Sequence, residues 1–162
     1  MKEIFDKRHP VTSFFLLVTG FVFLLMLITT GINFDRVKTL FQFGAMYGPI
    51  IRLFPEQLWR LFSAIFVHIG WEHFTVNMLS LYFLGGQVEE IFGSKQFFFL
   101  YLLSGMMGNL FVFAFTPKVL AAGASTSLYG LFAAIIVLRY ATRSPYIQQL
   151  GQSYLTLFVI NI

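Results

Sequence analysis

VTSFFLLVTGFVFLLMLITT, residues 11–30, carries no charge, and its reading decides the fold. A helix that crosses a bilayer needs about 20 mostly apolar residues, and this run supplies them. The flank before it, with Lys2, Lys7 and Arg8, resembles the basic start of a signal peptide. The apolar run is too long for a signal core and no A-x-A cleavage pattern follows, so it reads as a retained first helix. Further spans are expected over 72–91, over 96–115 with Ser94 as N-cap after Gly93, and over 121–138. A fifth begins near Gln149 and is still apolar at Ile162. The chain is 57% hydrophobic and 11% charged, with a mean hydropathy of +0.76. Soluble domains are about 25% charged, so residues 1–162 read as one all-α, multi-pass membrane domain. No repeat or linker divides it. With no cysteine, disulfides and Cys-based metal sites are excluded.

Residues 31–71 are too apolar for a solvated loop, with Phe41, Phe43, Trp59, Leu61, Phe62 and Phe66 among them. Gly44, Gly48, Pro49 and Pro55 break them too often for a span. The expected form is a set of short amphipathic helices, half in the headgroup region and half on the bundle. Lys2, Lys7 and Arg8, then Lys95, then Arg139 and Arg143 fall on one side if the spans alternate. Arg36, Lys38, Arg52, Arg60 and Lys118 fall on the other. The short charged flanks favour an N-terminus inside. The net charge of +4 is spread singly over segment ends. That sets topology and does not make the basic cluster of a nucleic-acid binder.

Polar side chains inside spans are expensive and mark candidate functional positions. Ser125 lies near the outer end of the fourth span, among Gly123, Ala124, Ser127 and Gly130. Small residues also serve helix packing, and Ser127, Gly130 and Ala134 form such a face for an unidentified neighbour. Ser125 points elsewhere and shares its face with Tyr129. His73 and Asn77 stand at i and i+4 on one face, suited either to helix–helix hydrogen bonds or to donating toward an oxyanion. His68, just before the second span, reads as an ordinary interfacial residue, and His9 lies in the inner flank. Three histidines so scattered give no metal site. Glu90 reads as a solvated cap, Glu89 as a carboxylate held at the turn to Ser94. Trp59-Arg60 has the look of a belt aromatic beside a basic residue at the headgroups.

Together these residues resemble the rhomboid intramembrane serine proteases. The likeness runs from the interfacial segment through the fifth span. Trp59-Arg60 matches the family's loop pair, and His73-Phe74-Thr75-Val76-Asn77 its H-x-x-x-N. Gly85-Gly86-Gln87-Val88-Glu89, followed by Gly93-Ser94, matches its helix turn, and Gly123-Ala124-Ser125 its G-x-S, with Tyr129 one turn on. The resemblance implies a six-helix bundle, here with helix six absent and helix five incomplete. It implies Ser125 as nucleophile, and His73, Asn77 and the Ser125 N–H as oxyanion donors. Tyr129 would pack beneath the base imidazole, with Trp59, Arg60, Gly123 and Glu89 in supporting roles. Its substrates are transmembrane helices of membrane proteins, cut near the outer surface. It implies no cofactor and no nucleic acid.

Two features depart from the pattern. Thr126 stands where the motif usually has glycine, which would put its side chain at the oxyanion site. The family's base histidine is on the sixth helix, and no histidine follows Ser125 here. The expectation is an endopeptidase whose dyad is completed from outside these residues, in a bacterial cytoplasmic membrane. The alternatives are a rhomboid-like protein that binds membrane helices without cutting them and, from another class, a small transporter with a midplane site. His68 is the one internal rival for the base.

Overall fold

Helix α1, Pro10–Thr30, opens the computed structural model, which describes residues 8–160. Lys2 and Lys7, used for orientation, lie outside the described residues, as does the end of the fifth span at Ile162. Pro10 sits in the first turn, where its missing N–H costs nothing. The next two N–H groups, of Val11 and Thr12, donate to the Glu89 carboxylate at 3.0 and 2.8 Å. The N-terminus of one helix is thus capped by an anion from another. A 3₁₀ turn, Gly31–Asn33, ends α1.

The segment expected at the interface is built of short pieces: α2 (Val37–Gln42), β1 (Met46–Tyr47), α3 (Gly48–Leu53), a 3₁₀ turn over Pro55–Trp59, and α4 (Arg60–Ser63). The second span is not one regular helix. It runs as α5 (Gly70–Ser80), a π-turn over Leu81–Gly85, and α6 (Gly86–Phe92). The third is α7, Ser94–Phe115. Its cap position is Gly93, and the Ser94 hydroxyl donates instead to Glu89 at 2.6 Å. The fourth helix, α8, covers Ser125–Ala141 and does not begin at Ala121. Leu120–Ala121 form β2, antiparallel to β1 with Met46 opposite Ala121 and Tyr47 opposite Leu120. Helix α9, Pro145–Ile160, starts four residues earlier than the apolar pattern indicates. Among the described residues, the helical stretches at 10–33 and 94–115 are long and apolar enough to cross a membrane, and α8 is a shorter apolar helix.

The core lies where α1, α7 and α8 meet. Phe15, Phe97, Tyr101, Leu128, Leu131 and Ile135 are buried there. Phe15 stacks on Tyr101 with ring centroids 4.1 Å apart. Such a pair is worth about 0.5–1.5 kcal/mol beyond area burial, which matters where lipid supplies no hydrophobic drive between helices. A second cluster, of Phe23, Met26, Phe34, Leu40 and Val67, ties residues 31–71 to the C-terminal half of α1. The small face of α8 finds its neighbour in α7. A Cβ on Gly105 would collide with Ser127, and one on Gly130 with Ser104. The two helices approach to backbone distance through these notches. Helix α9 docks on α8 the same way, with Gly151 against the Ile135 carbonyl and Arg139. Tyr154 also donates to Gln87 at 2.8 Å.

Candidate active site

Ser125 is the first residue of α8. The first bond of its ladder is Leu128 N–H to the Ala124 carbonyl, 3.0 Å. The N–H groups of Ser125, Thr126 and Ser127 precede it and have no acceptor inside the helix. They point out of the helix end with the positive pole of its dipole, a ready receptor for negative charge. Ser125 is half-buried, and among the described residues its hydroxyl has no hydrogen-bond partner.

The turn leading to Ser125 is shaped by Gly123, whose φ is +127°. That conformation favours glycine, and a second constraint adds to it. A Cβ there would stand 2.5 Å from His73 Cε1 and 2.8 Å from Nε2. The His73 ring therefore lies flush on the backbone two residues before Ser125, although it comes from α5. Asn77, one turn further along α5, is 4% exposed. Its amide donates to the His73 carbonyl at 2.7 Å. That bond lies within one helix and joins no two helices, and it leaves the amide's second proton for another acceptor. Tyr129, one turn after Ser125, is 60% exposed.

His68 corrects the sequence reading. It is not an interfacial side chain, being fully buried. Its Nε2 accepts the Ala124 N–H at 3.3 Å, and its Nδ1 lies 3.3 Å from the Phe66 carbonyl. Those partners require a neutral ring protonated on Nδ1. Burial first, and then the neighbouring His73 ring 5.3 Å away, hold its pKa down at about 4, against an opposing pull from Phe66. With both nitrogens engaged, His68 holds the turn ahead of Ser125 and has no nitrogen left to act as its base. Nothing local in the sequence signals this, because Ala124 lies 56 positions away.

The Thr126 side chain packs toward α7. A Cβ on Gly108 of α7 would lie 2.6 Å from Thr126 Cβ and 2.8 Å from Cγ2, so Thr126 fills the notch that Gly108 leaves.

The supporting residues knit the loops around this turn. Arg60 is 6% exposed and is no headgroup cation. It donates to Gln57 at 2.7 Å and to the Phe41 and Ala45 carbonyls at 2.6 and 3.2 Å. Its guanidinium lies over Phe41 and Trp59, and burial lowers its pKa. It thereby fixes the tight turn at Gly44, which Ser63 also holds with a 2.7 Å bond. Glu89 is 2% exposed and sits at the opposite end of the helix pair, accepting from Val11, Thr12 and Ser94. It braces the bundle far along the chain from Ser125. Glu90 is exposed, 4.0 Å from His9.

The sequence also matches known proteins. The Rhomboid domain family matches residues 55–162. The chain is 30% identical to the rhomboid protease GluP of Bacillus subtilis over 160 residues, 98% of this chain and 31% of that protein. It is 32% identical to RHOMBOID-like protein 1 of Arabidopsis thaliana over 124 residues, 76% of this chain and 32% of that one. It is 31% identical to the inactive RHOMBOID-like protein 8 of the same plant over 81 residues, 50% of this chain and 23% of that one. The chain spans about a third of the length of the first of these relatives. An all-α membrane fold, a G-x-S turn opening a helix, a histidine from α5 laid against that turn, and a family match over two thirds of the sequence lead to one assignment: the chain belongs to the rhomboid family.

Proposed function

We propose that this protein is an intramembrane serine endopeptidase that cleaves transmembrane helices of membrane proteins, with Ser125 as nucleophile. The observation that carries the reading is the meeting of the Gly123–Ser125 turn with His73 at the open N-terminus of α8. The Ser125 oxygen attacks the scissile carbonyl carbon while its proton passes to a base. The carbonyl electron pair moves onto oxygen, where the Ser125 N–H, His73 and Asn77 donate. Collapse expels the amine, which takes up the proton, and water then hydrolyses the acyl ester. Serine is a weak nucleophile without a base. His68 has both nitrogens engaged and does not serve as that base. The protein is multi-pass with its N-terminus inside, so Ser125 works near the outer surface.

The second reading is a rhomboid protein that binds membrane helices without cutting them. It is supported by a relative that carries the name inactive RHOMBOID-like protein 8. The test compares the 162-residue chain with the product of its uninterrupted reading frame, in liposomes containing a helical transmembrane substrate. Cleavage and fluorophosphonate labelling that Ser125→Ala abolishes are expected of the full reading frame. Substrate capture without cleavage or labelling by either protein would establish the second reading. Cleavage by the short chain that His68→Ala abolishes would make His68 the base.

A further inference from the structure

Ser125 stands between three anchors. Before it, the Gly123 N–H donates to the Ala64 carbonyl at 2.8 Å and the Ala124 N–H to His68 at 3.3 Å. After it, the Thr126 side chain fills the Gly108 notch. The first two fasten the approach to the interfacial segment, and the third fastens the start of α8 to α7. Between them the Ser125 hydroxyl is left without a partner. The Thr126 hydroxyl is itself buried with no hydrogen-bond partner among the described residues. A buried hydroxyl without a bond is costly, so shape and not hydrogen bonding accounts for how Thr126 is seated.

We infer that Thr126 is a positioning residue, interlocked with Gly108 so that the first turn of α8 holds the Ser125 side chain within the field of its free N–H groups. The inference deepens the proposed function, since it concerns the same serine. A Cβ at position 108 would have to push against Thr126 Cβ, a branch point with no flexible end to swing away. The displacement would pass directly to the neighbouring peptide units of the helix start. A smaller residue at 126 relieves the collision by handing the space to the new methyl group.

The chain contains no cysteine, so Ser125→Cys introduces a single thiol at the point of interest. A thiol at a helix N-terminus ionises below the ordinary value of about 8.5. Its alkylation rate as a function of pH therefore reads the local N–H field, and it needs no base and no substrate. In the Ser125→Cys protein in detergent, iodoacetamide alkylation should give a depressed thiol pKa. Adding Gly108→Ala should move that pKa back toward the ordinary value and slow alkylation at pH 7 by about threefold or more. Combining Gly108→Ala with Thr126→Gly should restore both. Circular dichroism melting of each variant separates misfolding from misalignment. If Gly108→Ala does not fold, Thr126→Ser, which removes only Cγ2, should produce the same shift more weakly. An unchanged pKa in folded Gly108→Ala would overturn the inference, as would a double variant that regains melting temperature without regaining the pKa. So would an unchanged pKa in Thr126→Ser where that variant stands in. Fluorophosphonate labelling of the unsubstituted serine, in the product of the uninterrupted reading frame, is a separate arm. Its failure with the alkylation pattern intact would refute the proposed function and leave the interlock standing.

Discussion

Acidification should destabilise this protein through His68, and the size of the effect can be worked out. The ring is buried and neutral, with Nδ1–H facing the Phe66 carbonyl and Nε2 accepting from Ala124. A second proton on Nε2 would point a donor at a donor. The pKa accordingly drops from 6.5 to about 4 in the folded protein. Below 6.5 the unfolded chain binds more protons than the folded one, so stability falls as pH falls. The contribution is fully present above the unfolded pKa and is lost progressively down to the folded one. With those two values, the loss between pH 7 and pH 5 is about 2 kcal/mol, approaching about 3 kcal/mol below pH 4. The assay is unfolding by sodium dodecyl sulfate from mild detergent micelles at pH 7, 6 and 5, followed by circular dichroism. His68→Asn should start lower at pH 7, by about 1–3 kcal/mol, because the Ala124 N–H is left buried without its acceptor. It should then lose most of the pH dependence. The other histidines are present in both proteins, so the difference in slope belongs to position 68. Equal slopes in the two proteins would refute the neutral, doubly engaged ring.

The spans were legible because the bilayer imposes a demand on every residue of a crossing helix, and composition alone records it. The turn at Glu89 and Ser94 was legible because the two residues are close in sequence. What escaped reading depends on partners far apart in the chain. His68 looks like any polar residue before a span until Ala124 arrives from the other side of the bundle. The small face of α8 announces that something packs closely, but Ser127, Gly130 and Ala134 contain no record of Gly105 and Ser104. Thr126 looks obstructive until Gly108 is seen to receive it. The strand pair of Met46–Tyr47 with Leu120–Ala121 is too short to leave a periodic signal, yet it delays the start of α8 to Ser125. The π-turn at Leu81–Gly85 hides in a sequence that reads as continuous helix. The sequence shows Arg60 beside Trp59 but not its acceptors at Phe41 and Ala45, which lie fifteen or more residues away.

Substitutions at three further positions test the site and its supports. Gly123→Ala places a side chain at φ +127° and against His73. Strain of about 1–3 kcal/mol is expected, with fluorophosphonate labelling of Ser125 in an active preparation falling by about fivefold or more. A melting temperature and labelling rate unchanged from the parent would show that the turn does not depend on glycine. Glu89→Ala strips the acceptor from Val11, Thr12 and Ser94 and should cost about 2–5 kcal/mol in detergent unfolding. Glu89→Gln should cost less, since one amide oxygen still accepts. Asn77→Ala separates support from chemistry. The bond it removes is a donation to a carbonyl of its own helix, and hydrogen bonds in membrane proteins average only about 0.6 kcal/mol. Melting should therefore shift little. If the amide's second proton meets the developing oxyanion, its loss should lower kcat by about 10²–10³ with little change in KM. A variant that melts far below the parent would assign Asn77 to packing. One that melts normally and turns over normally would remove it from the site, leaving the α8 N–H groups and His73 to carry the charge.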